Sequence, residues 1–463
     1  MLDLERLVAA MGAVDVVGRA PVAVQELAYS TDGVGPGALF FCVRGAHADG
    51  HDFAPEAVAN GAVALVVERP LDLPVPQVVV ADSRAAMAPA ADEFFGRPTQ
   101  ELDVVGVTGT SGKTTTTFLV YAILAAARRR PGLVGTIEAR VGGERRGVKR
   151  TTPEAIDLQR LLREMLDAGD RSVAMEASSH ASALHRLDHV RFAALVFTNL
   201  SHEHLDFHAD MEDYFQAKRR LFLDGAPAAV NVADEYGRRL AAELPDALTF
   251  GVTGDAAVGP DALAGIELKL RGRFNVENAL GALAAARLLG IEDAAIARGL
   301  ESVRGVPGRF ESIEEGQPFD VIVDYAHKPV ALESVLRAAR DVASGRVLCV
   351  FGCGGDSDRE KRPQMGRIAT ELADVVIVTN DNPRTEDPQA IIDAIVAGTT
   401  GDVEVEPDRA AAIARAIEAA DEGDVVLIAG KGAEQGQEFA DRTVPFDDRE
   451  SAREALRTLG ART

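Results

Sequence analysis

Three features are scarce in this sequence of 463 residues: cysteine, long apolar runs and positive charge. The only cysteines are Cys42, Cys349 and Cys353. They are too few for a disulfide framework, and their spacing does not suit a zinc site. We therefore expect free thiols without a functional role, in a reducing cytoplasm. No apolar run approaches the ~20 residues that a membrane-spanning helix needs, and the start MLDLERLVAA lacks the basic region of a signal peptide. We therefore expect a cytoplasmic protein without membrane insertion.

Positive charge is outnumbered, because 49 Lys and Arg face 72 Asp and Glu, which gives a formal net charge of −23. This balance argues against a nucleic-acid partner and against anionic membrane surfaces. It does not argue against nucleotides, whose sites need only local positive charge. The hydrophobic content of 47% is typical of a globular protein, and the length predicts about three domains at the usual ~150 residues each.

The most informative stretch is 102–117, LDVVGVTGTSGKTTTT. The β-branched run predicts a buried strand, the glycines a turn, and Lys113 the start of a helix. Backbone N–H groups and a helix N-terminus would cradle a phosphate, Lys113 would neutralise it, and the Thr114 hydroxyl could reach magnesium. Val107 stands where a strict P-loop has its first glycine. The stretch predicts nucleotide binding, although an ordinary glycine-rich turn is the alternative.

The chain divides into three blocks with α/β alternation, at 1–98, 99–307 and 308–463. In the first block, short strands are predicted at 39–43, 62–67 and 77–80. In the third, strands are predicted at 319–324, 347–351, 375–379 and 425–429. Each of these four is followed by a polar turn, which predicts a parallel doubly wound sheet with those turns along one edge. The stretch 304–309, RGVPGR, is predicted to be a hinge.

Polar clusters follow strands in the second block as well. A carboxylate, Glu176, ends an apolar strand, where it needs a cation. The segment 197–206 ends another strand in amide, hydroxyl and imidazole groups, a pattern that marks ligand sites in α/β folds, although a surface turn would also use them. An amphipathic helix bearing Lys218 is predicted over 214–222. Three further features have simpler alternatives: 150–154 as a helix N-cap, Lys218 as part of a solvated basic face, and 273–278 as the start of a helix at 279–289.

Together these motifs resemble the Mur ligases in order and spacing over nearly the whole chain, most strongly in 104–434. The motifs that carry the resemblance are GTSGKTTT, TTPE, MEASSHA, FTNLSHEHLDFH, YFQAK, RFNVENALGA, PGRFE, VDYAH, FGCGGD, DNPRTEDP and GKGAE. Within the family they are most similar to the enzymes that add a diamino acid to UDP-N-acetylmuramoyl-L-alanyl-D-glutamate in peptidoglycan synthesis. The resemblance implies a three-domain α/β architecture: a UDP-binding domain (1–98), a central P-loop-type ATPase domain (99–307) and a C-terminal Rossmann-like, amino-acid-binding domain (308–463).

The resemblance also implies ATP and Mg²⁺ as cofactors, and it assigns residues to each ligand. The ATP residues are Gly109, Thr110, Ser111, Gly112, Lys113, Thr114, Thr115, Asn278, Arg309 and Asp324. The residues around magnesium would be Thr114, Glu176, His204 and Lys218. The catalytic set would be Lys113, Glu176, His204 and Lys218, with Lys218 in the form of a carbamate. Thr31, Thr151, Thr152, Ser178 and Arg186 would bind the UDP-muramyl dipeptide. Asp381, Asn382, Pro383, Arg384, Gly430 and Glu434 would bind the diamino acid. Arg309 ends the predicted hinge and Asp324 follows it, so both lie across the hinge from Lys113. The ATP site is therefore expected to be complete only on domain closure.

The chain departs from the family at Ser30–Asp32, Leu184, Val330, Ser357 and Ala433. Ser357 removes an arginine that would favour meso-diaminopimelate, while Arg384 keeps one, and Arg359 or Arg362 could reach in instead. We expect diaminopimelate as the amino acid, with L-lysine as the alternative. A Mur-like ligase for another acid or amine, and a nucleotide-binding regulator that has lost ligation, are further hypotheses. A monomer acting on small-molecule substrates is expected.

Overall fold

The computed structural model describes residues 1–18, 22–45, 48–253 and 255–461. Its first region is organised around a five-stranded sheet in the order β2-β7-β6-β5-β4, parallel except for β2 at one edge. The apolar runs of the sequence form the buried strands β5 and β6, as predicted. The elements are β1 (Leu2–Asp3), α1 (Leu4–Met11), β2 (Asp15–Val17), β3 (Ala23–Val24), β4 (Glu26–Ala28), β5 (Ala38–Phe41), α2 (Ala54–Ala59), β6 (Ala62–Val67), β7 (Gln77–Val79) and α3 (Ser83–Phe94).

The second region contains an eight-stranded sheet in the order β11-β10-β9-β12-β8-β13-β14-β15. The six strands β9, β12, β8, β13, β14 and β15, neighbours in that order, are parallel. Strands β10 and β11 extend the sheet beyond β9 by antiparallel pairing. The elements are β8 (Asp103–Thr108), α4 (Lys113–Ala126), β9 (Pro131–Val134), β10 (Ala139–Val141), β11 (Glu144–Arg146), α5 (Ala155–Asp167), β12 (Ser172–Glu176), α6 (Ser179–Ala183), β13 (Phe192–Phe197), α7 (Met211–Arg219), β14 (Ala228–Asn231), α8 (Glu235–Glu243), β15 (Leu248–Phe250), α9 (Arg273–Leu288) and α10 (Asp293–Ser302).

The register of this sheet brings three strand ends together. Glu176 at the end of β12 pairs with Val107 of β8, and Phe197 at the end of β13 pairs with Thr108. Because parallel strands end at the same edge of a sheet, the polar segments after β8, β12 and β13 are neighbours. The sequence features that were predicted separately therefore share one edge.

Two helix boundaries differ from the sequence-based expectation. The helix predicted over 214–222 begins earlier, at Met211, where the Asp210 side chain accepts from the Asp213 amide and caps it. Helix α9 begins at Arg273 rather than 279, so Asn275 and Asn278 lie inside it instead of before it. The Asn275 amide donates to the Arg271 carbonyl at 2.7 Å, so this side chain folds back over the helix start and allows the earlier beginning.

The C-terminal region is built on a sheet in the order β16-β17-β21-β18-β19-β20, in which β17, β21, β18, β19 and β20 are parallel. This confirms the predicted parallel arrangement of the four strands and their polar turns. The elements are β16 (Glu311–Ser312), β17 (Asp320–Asp324), α11 (Pro329–Val342), β18 (Val347–Phe351), α12 (Lys361–Leu372), β19 (Val375–Val378), α13 (Pro388–Val396), β20 (Glu404–Val405), α14 (Arg409–Glu418), β21 (Val425–Ala429), β22 (Gly436–Glu438), β23 (Thr443–Pro445) and α15 (Asp448–Gly460).

Alternate side chains of the C-terminal strands enter two separate cores. Cys349 and Phe351 of β18 pack with α11, α12 and α13, whereas Leu348 and Val350 pack with α14 and α15. Both faces of the sheet are therefore covered by helices, as a doubly wound fold requires. One-turn 3₁₀ helices complete the secondary structure at Thr31–Gly33, Gly50–Phe53, Pro98–Gln100, Arg220–Phe222 and Pro260–Leu263.

By their internal contacts, residues form two units: Met1–Ala264 with Leu280–Gly299, and Gly265–Ala279 with the chain from Leu300 onward. The first unit holds the two N-terminal sheets and the second holds the C-terminal sheet. The predicted boundaries at 98/99 and 307/308 stay predictions. None of the described helices combines the length and the apolar character needed to cross a bilayer.

Candidate active site

The turn after β8 depends on two glycines in backbone conformations that favour glycine. Gly109 has φ +147° and Gly112 has φ +83°, and Gly112 is the N-cap of α4. A Cβ atom on Gly109 would collide with the Thr198 hydroxyl. No side chain caps the N-terminus of α4, so its first turn is presented to the loop. Such a helix N-terminus is the usual backbone site for a phosphate.

The loop is held in shape by the segment that follows β13. The Thr110 amide donates to the Asn199 carbonyl at 2.8 Å, and the Ser111 amide donates to Asn199 Oδ1 at 2.9 Å. The Thr198 hydroxyl donates to the Ser111 carbonyl at 2.7 Å. These bonds engage the amides of Thr110 and Ser111, so the first turn of α4 is the part of the loop best placed to bind phosphate oxygens.

Two lysines meet at one carbonyl oxygen of this loop. Lys113 Nζ lies 3.0 Å from the Gly109 oxygen and 2.8 Å from that of Thr110. Lys218 Nζ lies 2.8 Å from the same Gly109 oxygen and 4.6 Å from the centre of the Tyr214 ring. Burial, together with the charge of Lys113, holds the pKa of Lys218 well below its usual value, although Glu203 opposes this. Lys218 is therefore shifted toward its neutral amine, and because it is buried it is not part of a solvated basic face.

Glu176 is buried at the end of β12 and faces the residues after β9. Its Oε1 accepts from the Thr136 amide at 2.7 Å and its Oε2 from the Thr136 hydroxyl at 3.1 Å. A Cβ atom on Gly135 would lie 2.7 Å from Glu176 Oε1, so the glycine permits this close approach. Within the protein, this carboxylate accepts hydrogen bonds from a backbone amide and a hydroxyl group.

His204 lies in the segment after β13 with φ +58°. Its Nε2 is 3.4 Å from Glu203 Oε1, and its ring lies 4.7 Å from that of His180 and 5.8 Å from that of Tyr214, between ring centres. Burial lowers the pKa of His180, helped by the positive charge that His208 would carry. The imidazoles and the buried Tyr214 thus form one aromatic cluster beside the phosphate loop, because Tyr214 also contacts the Thr110 hydroxyl at 3.1 Å.

The donors near the loop fit magnesium better than a softer metal. Within the described parts of the chain, no three His, Cys, Asp or Glu side chains form a metal-binding group. Magnesium, however, is usually held by one or two carboxylates together with substrate phosphates and water. Glu176 and the Thr114 hydroxyl supply oxygen of that kind, whereas an unmodified ammonium on Lys218 could not bind a cation. The oxygen donors therefore fit the ion.

Four of the five residues predicted to bind the UDP-muramyl dipeptide lie together. The Thr152 hydroxyl donates to the Glu176 carbonyl at 2.8 Å and contacts the Ser178 hydroxyl at 3.3 Å. The Thr151 and Thr136 hydroxyls are 3.0 Å apart, and Arg186 donates to the Thr152 carbonyl at 3.2 Å. The hydroxyl groups thus continue from the buried carboxylate of Glu176 to the guanidinium of Arg186.

Glu154, at the N-cap position of α5, joins three arginines instead of capping the helix. Its side chain makes no capping bond. It pairs with Arg84 at 3.2 Å, with Arg186 at 2.8 Å and with Arg150 by a short contact. Three positive charges around one buried carboxylate leave local positive charge in a strongly acidic chain, which suits an anionic substrate.

Thr31, the fifth predicted residue, begins the 3₁₀ turn Thr31–Gly33. The residues just before it contact α5: the Tyr29 hydroxyl donates to Asp157 at 2.5 Å, and Arg160 donates to Glu26 at 2.7 Å. Burial and Asp157 raise the pKa of Tyr29 above its usual range. These bonds connect the first sheet region to the helix that follows Thr151 and Thr152.

In the C-terminal unit, Asp324 ends β17 and organises the turns around it. Its two oxygens accept from the amides of Phe310 and Ala326, each at 2.7 Å. Burial raises its pKa, while Arg309 opposes the rise. Arg309 stacks over the Tyr325 ring at 4.5 Å. Asn278, in the same unit, donates to Asn275 Oδ1 at 2.9 Å and is buried.

The residues predicted to bind the amino acid lie at the ends of β19 and β21. Lys431 is fully buried, and its Nζ lies 2.7 Å from Asn382 Oδ1, 3.0 Å from Glu434 Oε2 and 3.5 Å from Asp381 Oδ1. The Asn382 amide also donates to Glu434 at 2.9 Å. Gly430 has φ +125° and lies against Asp381. Lys431 therefore connects the two predicted segments, although no role was predicted for it from the sequence.

Arg384 follows Pro383 in a left-handed conformation with φ +51°. Its Nε donates to Glu438 at 2.9 Å and its Nη1 to the Gly355 carbonyl at 2.8 Å. Partial burial would lower its pKa, but Glu438 raises it. The side chain is 42% exposed, so the guanidinium is accessible to a carboxylate that competes with Glu438.

The two arginines considered as substitutes for the one missing at Ser357 are both paired with Glu386. Arg362 is buried and makes two bonds to Glu386, at 2.9 and 3.1 Å. Arg359 is exposed and contacts the same carboxylate at 3.1 Å. Glu386 therefore engages both arginines.

Sequence reasoning missed Thr136, Arg84 and Lys431 as members of these clusters. Thr136 follows strand β9 and Lys431 follows β21, so the rule that selects polar groups at strand ends could have found both. Arg84 lies on α3, remote in sequence from its partner Glu154, and carries no local signal.

Comparison with known proteins supports one family over most of the chain. The sequence matches the descriptions "Mur ligase family, catalytic domain" over residues 24–95, "Mur ligase middle domain" over 107–286 and "Mur ligase, glutamate ligase domain" over 308–432. A relative from Solibacter usitatus, named UDP-N-acetylmuramoyl-L-alanyl-D-glutamate–2,6-diaminopimelate ligase, is 46% identical and covers 94% of each chain. A relative of the same name from Streptomyces coelicolor is 44% identical over 94% of this chain and 92% of its own.

A solved structure of an enzyme with that name is 29% identical, covers 99% of both chains and superposes with a TM-score of 0.69. The fold, with its three α/β regions, is therefore the one found in these ligases.

Proposed function

The chain belongs to the Mur ligase family, and on that premise we propose that it joins a diamino acid, meso-2,6-diaminopimelate, to UDP-N-acetylmuramoyl-L-alanyl-D-glutamate in peptidoglycan synthesis. The carboxylate that reacts is the γ-carboxylate of the D-glutamyl residue. Its oxygen attacks the γ-phosphorus of ATP, and ADP leaves, which gives an acyl phosphate. The amine then attacks the acyl carbon, loses a proton and expels inorganic phosphate, which leaves an amide.

The observation that carries this proposal is the phosphate loop at the meeting point of three strand ends. Lys113 and the N-terminus of α4 supply positive charge on one side of that edge. Glu176 and the hydroxyls of Thr151 and Thr152 lie at the neighbouring strand end. This arrangement can hold a nucleotide phosphate beside a substrate carboxylate, and positioning with charge neutralisation is most of what phosphoryl transfer requires.

We propose that Glu176, Thr114 and His204 lie around Mg²⁺, together with Lys218 in the form of a carbamate. When bound, the ion would neutralise charge on the phosphates as they are transferred. A carbamate would replace the amine of Lys218 with oxygen donors of negative charge. The buried, pKa-lowered amine of Lys218 supports this assignment, because carbon dioxide reacts with a neutral amine and not with an ammonium.

We assign the UDP-muramyl dipeptide to Thr31, Thr151, Thr152, Ser178 and Arg186, and the rest of the ATP site to Asn278, Arg309 and Asp324. The amino acid would be held by 381–384, with Gly430 and Glu434. Arg384 would bind the distal carboxylate, and Glu434 would accept from the distal ammonium. We expect a cytoplasmic monomer that acts on these small molecules.

The test is a product assay with purified full-length protein, ATP, Mg²⁺ and UDP-N-acetylmuramoyl-L-alanyl-D-glutamate. Diaminopimelate, L-lysine, L-ornithine and L-glutamate are supplied separately, and phosphate release and the mass of the nucleotide product are measured. We expect one phosphate per amide formed, with diaminopimelate the best substrate. A preference for lysine would correct the amino acid only. Nucleotide binding without any amide product would overturn the enzymatic proposal and favour a regulator.

A further inference from the structure

A fully buried ion pair lies behind the segments that we assign to the amino acid. Arg409 is the first residue of α14 and Asp448 the first of α15, and both side chains have 0% exposure. Arg409 Nε lies 2.7 Å from Asp448 Oδ1, and Nη2 lies 2.8 Å from Oδ2. This bidentate geometry fixes the plane of the guanidinium.

The same guanidinium also binds the backbone at two strand ends. Arg409 Nη2 donates to the carbonyl of Ala429, the last residue of β21, at 3.0 Å. Nη1 donates to the carbonyl of Asn380, just beyond β19, at 3.3 Å. The next residues along the chain are Gly430 and Asp381, where the two proposed amino-acid-binding segments begin. Arg409 therefore connects the starting points of both segments.

Helix stability does not explain an arginine in this position. A cation at a helix N-terminus is opposed by the helix dipole, and its removal from water is costly. Apolar residues of similar volume commonly replace a buried ion pair without loss of stability. What they cannot supply is the hydrogen bonding to the carbonyls of Asn380 and Ala429.

The surroundings of Arg409 are part of the amino-acid site. A Cβ atom on Gly430 would lie 3.7 Å from Arg409 Nη2 and 2.8 Å from Asp381 Oδ2. Burial would lower the pKa of Arg409, but Asp448, followed by Asp381 and Glu434, raises it. Two residues that we assign to the amino acid thus lie within the electrostatic reach of this guanidinium.

We propose that Arg409 and Asp448 are positioning residues, which set the separation of segments 381–384 and 430–434 and so determine how tightly the diamino acid is held. The inference rests on the proposed function. Arg384 and Glu434 lie on different segments, so a change in the spacing of the segments changes the distance between the groups that bind the distal carboxylate and the distal ammonium. Neither Arg409 nor Asp448 needs to touch the substrate.

The experiment measures KM for each of the three substrates in the full-length enzyme and in three variants. Arg409→Lys keeps the charge but cannot make the bidentate bond and both carbonyl bonds together. Arg409→Met/Asp448→Leu removes the pair without leaving an unpaired buried charge. This double variant therefore tests the proposal even if Arg409→Lys does not fold. Arg346→Met is the control, because Arg346, just before β18, pairs at 2.7 Å with Asp424, just before β21, and the substitution so removes a guanidinium at the opposite end of β21 from Arg409.

In both Arg409 variants we expect KM for diaminopimelate to rise by up to about 100-fold, since a misplacement of about 1 Å can cost an enzyme that much. KM for ATP and for the UDP-muramyl dipeptide should stay within about twofold, and the preference for diaminopimelate over lysine should fall. Arg346→Met should lower the melting temperature and leave KM for diaminopimelate unchanged.

Two results would overturn the inference. One is an unchanged KM for diaminopimelate in the folded double variant. The other is an equal rise in KM for all three substrates, which a purely structural role would produce. If the unmodified enzyme forms no amide with any amine, the proposed function itself fails, and that outcome is distinct from both.

Discussion

At the scale of single residues, the phosphate loop depends on the absence of one atom. Gly109 combines φ +147° with a position where a Cβ would collide with the Thr198 hydroxyl. Both constraints act on the carbonyl that receives Lys113 and Lys218. A side chain at this position must therefore move either the loop or the segment after β13, and the two lysines with it.

We accordingly predict that Gly109→Ala lowers ATP-dependent turnover by about 100-fold or more, and costs ~1–3 kcal/mol in stability through backbone strain and overpacking. Phosphate release and urea unfolding measure the two effects. Gly147→Ala is the control, because Gly147 has nothing within 4 Å of a Cβ and no positive φ. Full activity in Gly109→Ala would show that the loop does not bind phosphate in this conformation.

Lys218 supports a second prediction at the residue scale, the carbamate. Lys218→Ala should nearly abolish turnover, because it removes the group that would carry the oxygen donors. Lys218→Glu should restore a part, since a carboxylate resembles a carbamate in charge and in donor atoms. Arg219→Ala, next in sequence but paired with Glu243 near the surface, should stay active. Carbon-13 NMR after incubation with labelled bicarbonate should show one carbonyl signal that Lys218→Ala lacks. An active Lys218→Ala enzyme would contradict the prediction.

At the scale of elements, the loops after β18 and β19 are joined through one carboxylate. Glu386 accepts from Arg362 at 2.9 and 3.1 Å and from the Asp356 amide at 2.7 Å. The Thr385 hydroxyl donates to Asp356 at 2.6 Å. The pKa of Glu386 is lowered from 4.5 to about 2, and the hydrogen bonds from Arg362 are the main cause. The ionised form therefore stabilises the connection between the loops.

This connection predicts a pH-dependent effect of Glu386→Gln. A lowered pKa means that the carboxylate contributes stability above pH ~4.5, and that this contribution is lost as the pH falls toward about 2. The variant should be less stable than the unmodified chain by ~1.5–3 kcal/mol at pH 7, the usual worth of hydrogen bonds to charged groups. The difference should shrink below pH ~4.5.

Urea unfolding at several pH values between 7 and 3.5 measures this difference. Glu371→Gln serves as the control, because Glu371 pairs with Arg367 on the exposed face of α12. A difference that is independent of pH would mean that Glu386 does not act through its charge.

Elements were also the scale at which the sequence was most informative. Val347–Phe351 and Val425–Ala429 are strands over the predicted residues, because a β-branched apolar run bounded by polar turns has few other structures available. The start of α9 and the role of Glu154 were not predictable. Asn275 and Glu154 form bonds there that compete with local cap preferences, and the partners of Glu154 include Arg84, 70 residues away.

At the scale of the whole molecule, parallel topology explains why the site could be assembled from sequence in part. Once β8, β12 and β13 are known to be parallel neighbours, their polar ends must meet, so Lys113, Glu176 and the 198–206 segment were predictable as a group. The Arg409–Asp448 pair was not, since its two helices are far apart in sequence and neither residue lies at a strand end. Site roles beyond this geometry stay predictions.

The net charge of −23 bears on which amino acid is chosen. At neutral pH lysine carries a net positive charge, whereas diaminopimelate, with two ammonium and two carboxylate groups, is close to neutral. The field of the whole molecule therefore favours lysine, although salt screens it beyond ~10 Å at 0.1 M. A preference for diaminopimelate needs a local cation to overcome this field, and Arg384 is the one that the structure leaves accessible among the residues assigned to the amino acid.

Arg384→Ala should therefore lower the ratio of kcat/KM for diaminopimelate over lysine by about 10- to 100-fold, the equivalent of one charge-assisted pair worth ~1.5–3 kcal/mol. Glu438→Ala should act in the opposite direction, because Glu438 competes with the substrate carboxylate for the same guanidinium. Arg367→Ala, on the exposed face of α12, removes an equal charge at a distance from the segment and should leave the ratio unchanged.

The three variants separate a local contact from the general field: a similar shift in Arg367→Ala and Arg384→Ala would assign selectivity to net charge. An unmoved ratio in Arg384→Ala would remove this residue from the binding of the distal carboxylate.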